Sequence, residues 1–201
     1  QSSIVSATMT KRRYKRGDLI VEQGATSDAL FMILSGKARV LSHDQRGREV
    51  IIATLDTGDC IGEMSLIDGE PHSATVRTET PTDVLVLGHE AFLRCLRENI
   101  AMADAVMRGL VRRLRRADKQ ILSLALMDVY GRVMNVLQDL SQQDADGNRI
   151  LRTKVSRQDV AKMVGASREM VSRVMKHFEA SGVLIKQEDG SFLLKGGQSL
   201  G

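Results

Sequence analysis

Aromatic residues are scarce in this chain of 201 residues: Phe, Tyr and Trp together make up 3%, and Trp is absent. Proteins that bind single-stranded nucleic acid stack the bases on aromatic side chains, so the composition disfavours that class. The sequence has no run of about 18 apolar residues, and no secretory signal is visible. We therefore expect a protein that does not span a membrane and that works in the cytoplasm.

Metal-ligand and catalytic motifs are missing as well. Cys60 and Cys95 do not have the spacing of a metal site, so we expect buried free thiols. The histidines are scattered and no nucleophile stands beside a base; they are His43, His72, His89 and His177. The sequence therefore predicts no metal site and no catalytic residues, and the chain is not expected to be an enzyme.

Positive charge is concentrated in the second half of the chain. Residues 1–105 hold 12 Lys and Arg against 15 Asp and Glu. Residues 106–149 hold 8 against 5, and residues 150–201 hold 9 against 5. The net charge of +4 therefore comes from the second half, which indicates a DNA-facing module on a mildly acidic body.

Residues 157–176 have the pattern of a helix-turn-helix. Ser156, with Asp159 three residues later, can cap the first helix, and Ser167 can cap the second. Ala161 is small where the two helices cross closely, and Gly165 stands where the turn favours positive φ. Apolar residues recur on the faces that such helices bury against each other; they are Val160, Val164, Ala166, Val171 and Val174.

The second of these helices presents polar side chains in the part that enters a DNA major groove. Arg can donate two parallel hydrogen bonds to guanine, and Glu can accept one from cytosine. The candidate DNA-binding residues are Arg157, Ser167, Arg168, Glu169, Ser172 and Arg173. A solvated face of an ordinary surface helix is the alternative, and the surrounding caps and crossing residues favour DNA recognition over it. Downstream, Asp189-Gly190 predicts a hairpin between Val183–Lys186 and Ser191–Lys195.

The first half of the chain alternates short β-branched segments with Gly-containing turns, which is typical of a sandwich or barrel. The predicted strands are Leu30–Leu34, Lys37–Ser42, Val50–Leu55, Ser73–Glu79 and Val84–Leu87. Gly62–Ile67 breaks this pattern and is predicted to be a single helical turn. The free N–H groups of such a turn suit an anion such as a phosphate.

A heptad pattern predicts a long helix between the two halves. Its apolar positions step by three and four residues, and they are Met107, Leu110, Leu114, Ala117, Ile121 and Leu124. The alternative to a dimer helix is a helix packed on its own domain. The arginines that flank these apolar positions, Arg113 among them, are expected to keep the other faces of the helix solvated.

Several motifs in one order resemble the bacterial cyclic AMP receptor / fumarate–nitrate regulator superfamily from about Tyr14 to Lys195. They are Gly17-Asp18, Gly24, Gly36, Gly58-Asp59, Gly62-Glu63, His72–Val76, Asp128–Arg132 and 157–176. The resemblance implies an α+β fold with an N-terminal cyclic-nucleotide-binding-like β-roll (a jelly roll), a long dimerisation helix and a C-terminal winged helix-turn-helix. The expected segments are 1–104, 105–129 and 130–201.

The resemblance also implies a function. Members of this superfamily are homodimeric transcription regulators that bind double-stranded DNA, so we expect a near-palindromic site with TGTGA-like half-sites, strong bending of the DNA and RNA polymerase as a partner. The alternative is a signalling module that works through protein contacts without specific DNA binding.

In the cyclic AMP-binding members, an Arg-Ser pair holds the phosphate and a Thr-Ser pair reads the base. Here His72 stands in place of the Arg, and Ala117-Asp118 stands in place of Thr-Ser. The alternative to an effector contact for His72 is a surface or loop histidine whose hydrogen bonds are satisfied, and this alternative is favoured. The candidate effector residues are Gly62, Glu63, Met64, His72, Ser73, Arg113 and Ala117. No cofactor is certain, and the candidate effectors are a cyclic nucleotide, a cyclic dinucleotide, another small ligand or none. No cysteine precedes Cys60, so no iron–sulfur sensor is expected.

Overall fold

The structure is a computed structural model that describes residues 9–144, 148–151 and 156–195. The chain forms two compact units, one ending at Arg116 and the other beginning at Ala117. The three sequence-based segments, with boundaries at 104/105 and 129/130, stay a prediction. Among the described helices, none combines the length and the apolar character needed to cross a membrane.

The first unit contains two four-stranded sheets. Its described strands are β1 (Met9–Tyr14), β2 (Leu19–Val21), β3 (Ala29–Ser35), β4 (Ala38–His43), β5 (Glu49–Leu55), β6 (Cys60–Ile61), β7 (Thr75–Thr78) and β8 (Thr82–Gly88). The strand orders are β1-β8-β3-β6 and β2-β7-β4-β5, and the neighbouring strands pair antiparallel. Ile33 and Val84 of one sheet pack in the same buried cluster as Ala38 and Val76 of the other, which makes a β-roll.

The five predicted strands are present, with ends that differ by up to two residues. The sequence pattern missed β1, β2 and β6. Strand β1 was missed because its residues are mostly charged and do not alternate between apolar and polar. Its exposed charged residues are Lys11, Arg12 and Arg13. It lies at the edge of its sheet, where charged side chains are favoured because they discourage pairing with another chain.

Three helices begin in the first unit: α1 (Glu63–Asp68), α2 (His89–Glu98) and α3 (Ile100–Leu126). Helix α1 is the predicted helical turn. Helix α3 has 27 residues, and none of them is buried. Four residues of the predicted heptad are more than half exposed, namely Met107, Leu114, Ile121 and Leu124. We call these four residues the α3 stripe.

The second unit holds helices α4 (Val129–Leu140), α5 (Arg157–Val164) and α6 (Arg168–Ala180) and a small sheet. The sheet has the order β11-β12-β10-β9, and its strands are β9 (Gln142–Gln143), β10 (Arg149–Leu151), β11 (Leu184–Lys186) and β12 (Phe192–Leu194). Strands β11 and β12 are the predicted hairpin, and they pair antiparallel. Val133 and Leu137 of α4 share one buried cluster with Val160 and Val174 of the two following helices.

Candidate nucleic-acid interface and effector pocket

The two helices of the helix-turn-helix begin at serine caps, as the sequence predicts. Ser156 Oγ accepts a hydrogen bond from the backbone N–H of Asp159 at 3.0 Å. Ser167 Oγ accepts one from the backbone N–H of Met170 at 3.2 Å. Gly165 ends α5 with a φ of 64°, a left-handed conformation that glycine adopts without steric cost. The turn and both helix starts are therefore encoded locally.

The inward faces of α5 and α6 are apolar. Val160, Val171 and Val174 are fully buried, and Ala161 and Val164 are each 3% exposed. Truncation of one of these buried valines would remove apolar contact area and leave a cavity, and both effects destabilise the folded unit. This packing fixes which face of α6 is turned to solvent.

The candidate DNA-binding residues lie on the outward face or at the helix starts. Arg168, Glu169 and Arg173 are exposed, and Ser172 is half-buried. The side chains of Arg168 and Glu169 make no hydrogen bond or ion pair with any residue that the structure describes. Nη2 of Arg173 lies 3.8 Å from the sulfur of Met170. The first turn of α6 thus presents an unpaired donor group and an unpaired acceptor group side by side.

The two remaining candidates are partly engaged. The Arg157 guanidinium lies 3.8 Å from the carboxylate of Glu179, and both side chains are about two-fifths exposed. An ion pair this exposed is worth little, so it leaves Arg157 available to another anion. The Ser167 hydroxyl accepts the capping bond, but its own O–H is still a donor.

In the first unit, a small open cavity of about 60 Å³ lies between the strands and α1. It is lined by Val21, Val40, Leu55, Cys60, Ile61, Gly62, Glu63, Met64, Ser65, His72, Ser73, Ala74, Val76 and Arg113. Six of the seven predicted effector residues are therefore brought together here. The seventh, Ala117, belongs to the other compact unit. As it stands the cavity accommodates a few water molecules.

Gly62 sets the position of α1. Its φ is 90°, and a Cβ at this residue would lie 2.9 Å from the carbonyl oxygen of Ala29. No L-residue with a side chain fits there without strain or a backbone shift. The sequence predicted the glycine at the start of the helix, but the close approach to Ala29 depends on the folded sheet.

Glu63 and Arg113 form an ion pair at the cavity. Nη1 of Arg113 donates to Oε1 of Glu63, and Nη2 donates to the carbonyl oxygen of Cys60. Glu63 is only 3% exposed, and burial raises the pKa of its carboxyl group while the Arg113 charge opposes that rise. Arg113 thus reaches back to the β-roll, while its side chain stays 37% exposed to solvent.

His72 lies in the loop before β7 with both ring nitrogens satisfied, as the sequence favoured, but it is buried rather than at the surface. It is 6% exposed, and its ring is held between two serines, with Nε2 2.8 Å from Ser27 Oγ and Nδ1 3.0 Å from Ser65 Oγ. Burial lowers the pKa of the imidazole, so the neutral form is favoured. Sequence reasoning missed both serines, since nothing in the pattern connects Ser27 to a histidine 45 positions away.

Two family models match the chain in the places where these two sites lie. Residues 11–99 match the cyclic nucleotide-binding domain, and residues 131–195 match the Crp-like helix-turn-helix domain. The fold and the two sites therefore define a helix-turn-helix transcription regulator with an effector-binding domain.

The chain belongs to the CRP/FNR superfamily. It is 35% identical over 183 residues to the cAMP-activated global transcriptional regulator Vfr of Pseudomonas aeruginosa, covering 87% of this chain and 84% of Vfr. It is 32% identical over 178 residues to the cAMP-activated global transcriptional regulator CRP of Salmonella typhimurium, covering 86% of this chain and 83% of CRP.

A solved structure of a bacterial regulator has a similar fold. The c-di-GMP responsive global regulator CLP of Xanthomonas campestris is 26% identical to this chain, with a TM-score of 0.82 over 98% of this chain and 100% of CLP. The expectations of superfamily, fold class and regulatory function are thereby confirmed. The relatives are transcription regulators rather than enzymes, so the protein is a regulator and the alternative without DNA binding is set aside.

Proposed function

We propose that this protein is a homodimeric transcription regulator that reads a near-palindromic DNA site through α6 and is controlled by an effector in the β-roll. The observation that carries the proposal is the first turn of α6. There a serine cap and a buried valine face orient Arg168 and Glu169 outward, and neither side chain has a partner in the described part of the chain.

Each candidate residue has a role that suits its placement. Arg168 and Arg173 read guanines through bidentate hydrogen bonds, and Glu169 accepts from a cytosine amino group. Ser172 lies on the same face and contacts a base or the backbone. Arg157 and the Ser167 hydroxyl bind phosphates, which fixes the register of the helix on the duplex.

The α3 stripe supports the dimer. Long apolar side chains that repeat every three to four residues and stand more than half exposed are the pattern of a two-stranded helical seam. A second copy of the chain would cover them. A two-fold dimer places two recognition helices about one DNA turn apart, so the site is near-palindromic, with TGTGA-like half-sites and bent DNA.

Effector control belongs to the β-roll. Residues 11–99 match the cyclic nucleotide-binding domain, and Vfr and CRP are named as cAMP-activated and CLP as responsive to c-di-GMP, which supports an effector site in this region. The candidate residues there are Gly62, Glu63, Met64, His72, Ser73, Arg113 and Ala117. We further propose that the regulator acts in the cytoplasm, where its DNA lies, and contacts RNA polymerase.

Selection from a random duplex library tests the proposal. The full chain, incubated with the library with and without candidate effectors, is expected to enrich a symmetric sequence with two identical half-sites. Base preferences that show no symmetry, or no enrichment over the starting pool under any ligand condition, would overturn it.

A further inference from the structure

The positions that flank the apolar seam of α3 include one pair of opposite charges. In a heptad repeat lettered a to g, the seam residues occupy positions a and d, with Leu114 at a and Ala117 at d. Arg113 then falls at position g, and Asp118 falls at the next position e. In a parallel pair of helices, a g residue lies beside the e residue of the other helix that is five positions further along. Arg113 of one copy is therefore placed beside Asp118 of the partner subunit.

The adjacent pairs along the seam do not offer this complementarity. The preceding and the following g–e pairs are uncharged, and they are Val106 with Val111 and Gln120 with Ala125. A shift of the two helices by one heptad would place Arg113 beside one of these apolar e residues instead of beside a carboxylate. The charged pair therefore favours a single parallel register, and a two-fold dimer contains it twice.

Asp118 has no partner in the described part of its own chain. Its side chain is exposed, and it makes no hydrogen bond or ion pair with the residues that the structure describes. When a second helix covers the α3 stripe, a carboxylate beside that stripe loses part of its solvent, and an unpaired charge there is costly. A guanidinium of the second copy would compensate that loss.

Arg113 has the capacity for this second contact. Its guanidinium carries several N–H groups, and the contacts to the β-roll use Nη1 for Glu63 and Nη2 for the carbonyl oxygen of Cys60. The Glu63 side chain is buried, whereas the Arg113 side chain remains partly exposed. Donors are therefore left for a carboxylate at the helix surface while the contacts to the β-roll persist.

We propose that Arg113 bonds Asp118 of the partner subunit across the dimer seam and so joins the β-roll cavity of one subunit to α3 of the other. The inference rests on the proposed homodimer and deepens it, because the second copy contributes a residue to the surroundings of the effector cavity. Arg113 is a positioning residue in this arrangement. Glu63 holds its guanidinium, and the guanidinium holds the helix of the second copy in register.

Removal of the Asp118 charge tests the pair. Fluorescence-detected sedimentation of the labelled full chain over a dilution series gives the dimer dissociation constant, and low ionic strength keeps screening small. Asp118→Asn is expected to raise this constant by about fivefold, because each dimer loses two partly exposed ion pairs. Asp118→Glu retains a carboxylate and should stay close to the wild-type value. Asp139→Asn is the matched control, since it makes the same change at an exposed position of α4 and should leave the constant unchanged.

A double-mutant cycle identifies the partner of Asp118. In the Arg113→Gln background, Asp118→Asn should have no further effect on the dimer dissociation constant, because the guanidinium that it pairs with is already gone. If Arg113→Gln does not fold, Asp118→Arg takes its place in the test. This variant keeps the contact between Glu63 and Arg113, sets two cations side by side across the seam and should weaken the dimer more than Asp118→Asn does.

The inference fails on any of three results. They are a dimer dissociation constant that Asp118→Asn leaves unchanged, an effect of Asp118→Asn that persists in full after Arg113→Gln, and a dimer that tolerates Asp118→Arg. Each of these leaves the homodimer itself in place. A wild-type chain that stays monomeric would overturn both the inference and the proposed homodimer, so the two failures are distinguishable.

Discussion

Ser167 accepts a hydrogen bond from the backbone N–H of Met170 at 3.2 Å and so begins the helix that carries Arg168 and Glu169. Because the cap satisfies a helix N–H that would otherwise lack a partner, the first turn is held in one conformation. The two side chains that project from this turn are thereby placed for a major groove.

Loss of the Ser167 cap should destabilise the second unit. We expect Ser167→Ala to lower the free energy of unfolding by about 1 kcal/mol, within the usual 0.5–2 range for a serine cap. Urea unfolding followed by circular dichroism measures the change. Ser73→Ala is the control, since that serine is exposed, and an equal effect of the two substitutions would contradict a capping role.

Removal of the Arg168 guanidinium should relax sequence preference. Arg168→Ala is expected to weaken the binding free energy for the selected site by about 1–3 kcal/mol. It should also reduce discrimination between bases at one base pair per half-site. Fluorescence anisotropy with the selected duplex and with its single-base variants measures both quantities. Lys176→Ala, on the same helix, serves for comparison. An identical loss on selected and random DNA after Arg168→Ala would mean that this arginine contacts only the backbone.

A charge in the α3 stripe should prevent dimerisation. Leu114 is 63% exposed in the single chain, and a carboxylate at this position would be buried without a partner in the seam. We expect Leu114→Asp to give monomers in analytical ultracentrifugation and to lose tight DNA binding. Arg116→Asp places the same group on the opposite face of α3 and should leave the dimer intact. A dimer that survives Leu114→Asp would exclude this face as the interface.

Close packing at Gly62 should make it sensitive to substitution. Gly62 and Gly69 both have positive φ, but only at Gly62 would a Cβ meet a neighbouring atom, the Ala29 carbonyl oxygen at 2.9 Å. Gly69→Ala should cost about 1–2 kcal/mol from backbone strain alone. Gly62→Ala should lower the melting temperature measurably more than Gly69→Ala does. Equal decreases in melting temperature would show that the backbone at Ala29 shifts without an energetic cost.

Burial of His72 predicts a pH dependence of stability. The pKa of the folded imidazole lies below its ordinary value of 6.5 because of desolvation. Below that ordinary value the unfolded chain takes up a proton that the folded chain resists, so acidification favours unfolding. The melting temperature should therefore fall from pH 7.5 to pH 5.5 more steeply for the wild-type chain than for His72→Gln. Parallel curves would assign the pH dependence to other groups.

Local sequence patterns predicted the helix-turn-helix well. The caps at Ser156 and Ser167 and the positive φ of Gly165 each depend on residues within one turn, and the buried valines recur at helical spacing. Five strands between Ala29 and Gly88 were also predictable, because apolar and β-branched residues recur between glycine turns, whereas the two-residue β6 was missed.

The effector pocket was predictable only in part. The resemblance placed Gly62, Glu63 and His72 together, but it did not show that His72 is buried or that Arg113 pairs with Glu63. Those contacts join residues 45 and 50 positions apart, and the folded sheets create them. Strand β1 was missed for a different reason, since an edge strand with charged residues lacks the alternation that identifies a strand.

The central claim is that two copies of α6 read two half-sites of one duplex. Its most direct measurement compares the affinity of the full chain for the selected symmetric duplex with its affinity for a duplex in which one half-site is scrambled. We expect the scrambled half-site to weaken binding by at least a hundredfold, because each mismatched base pair costs about 1–3 kcal/mol. Equal affinity for the two duplexes would contradict the account.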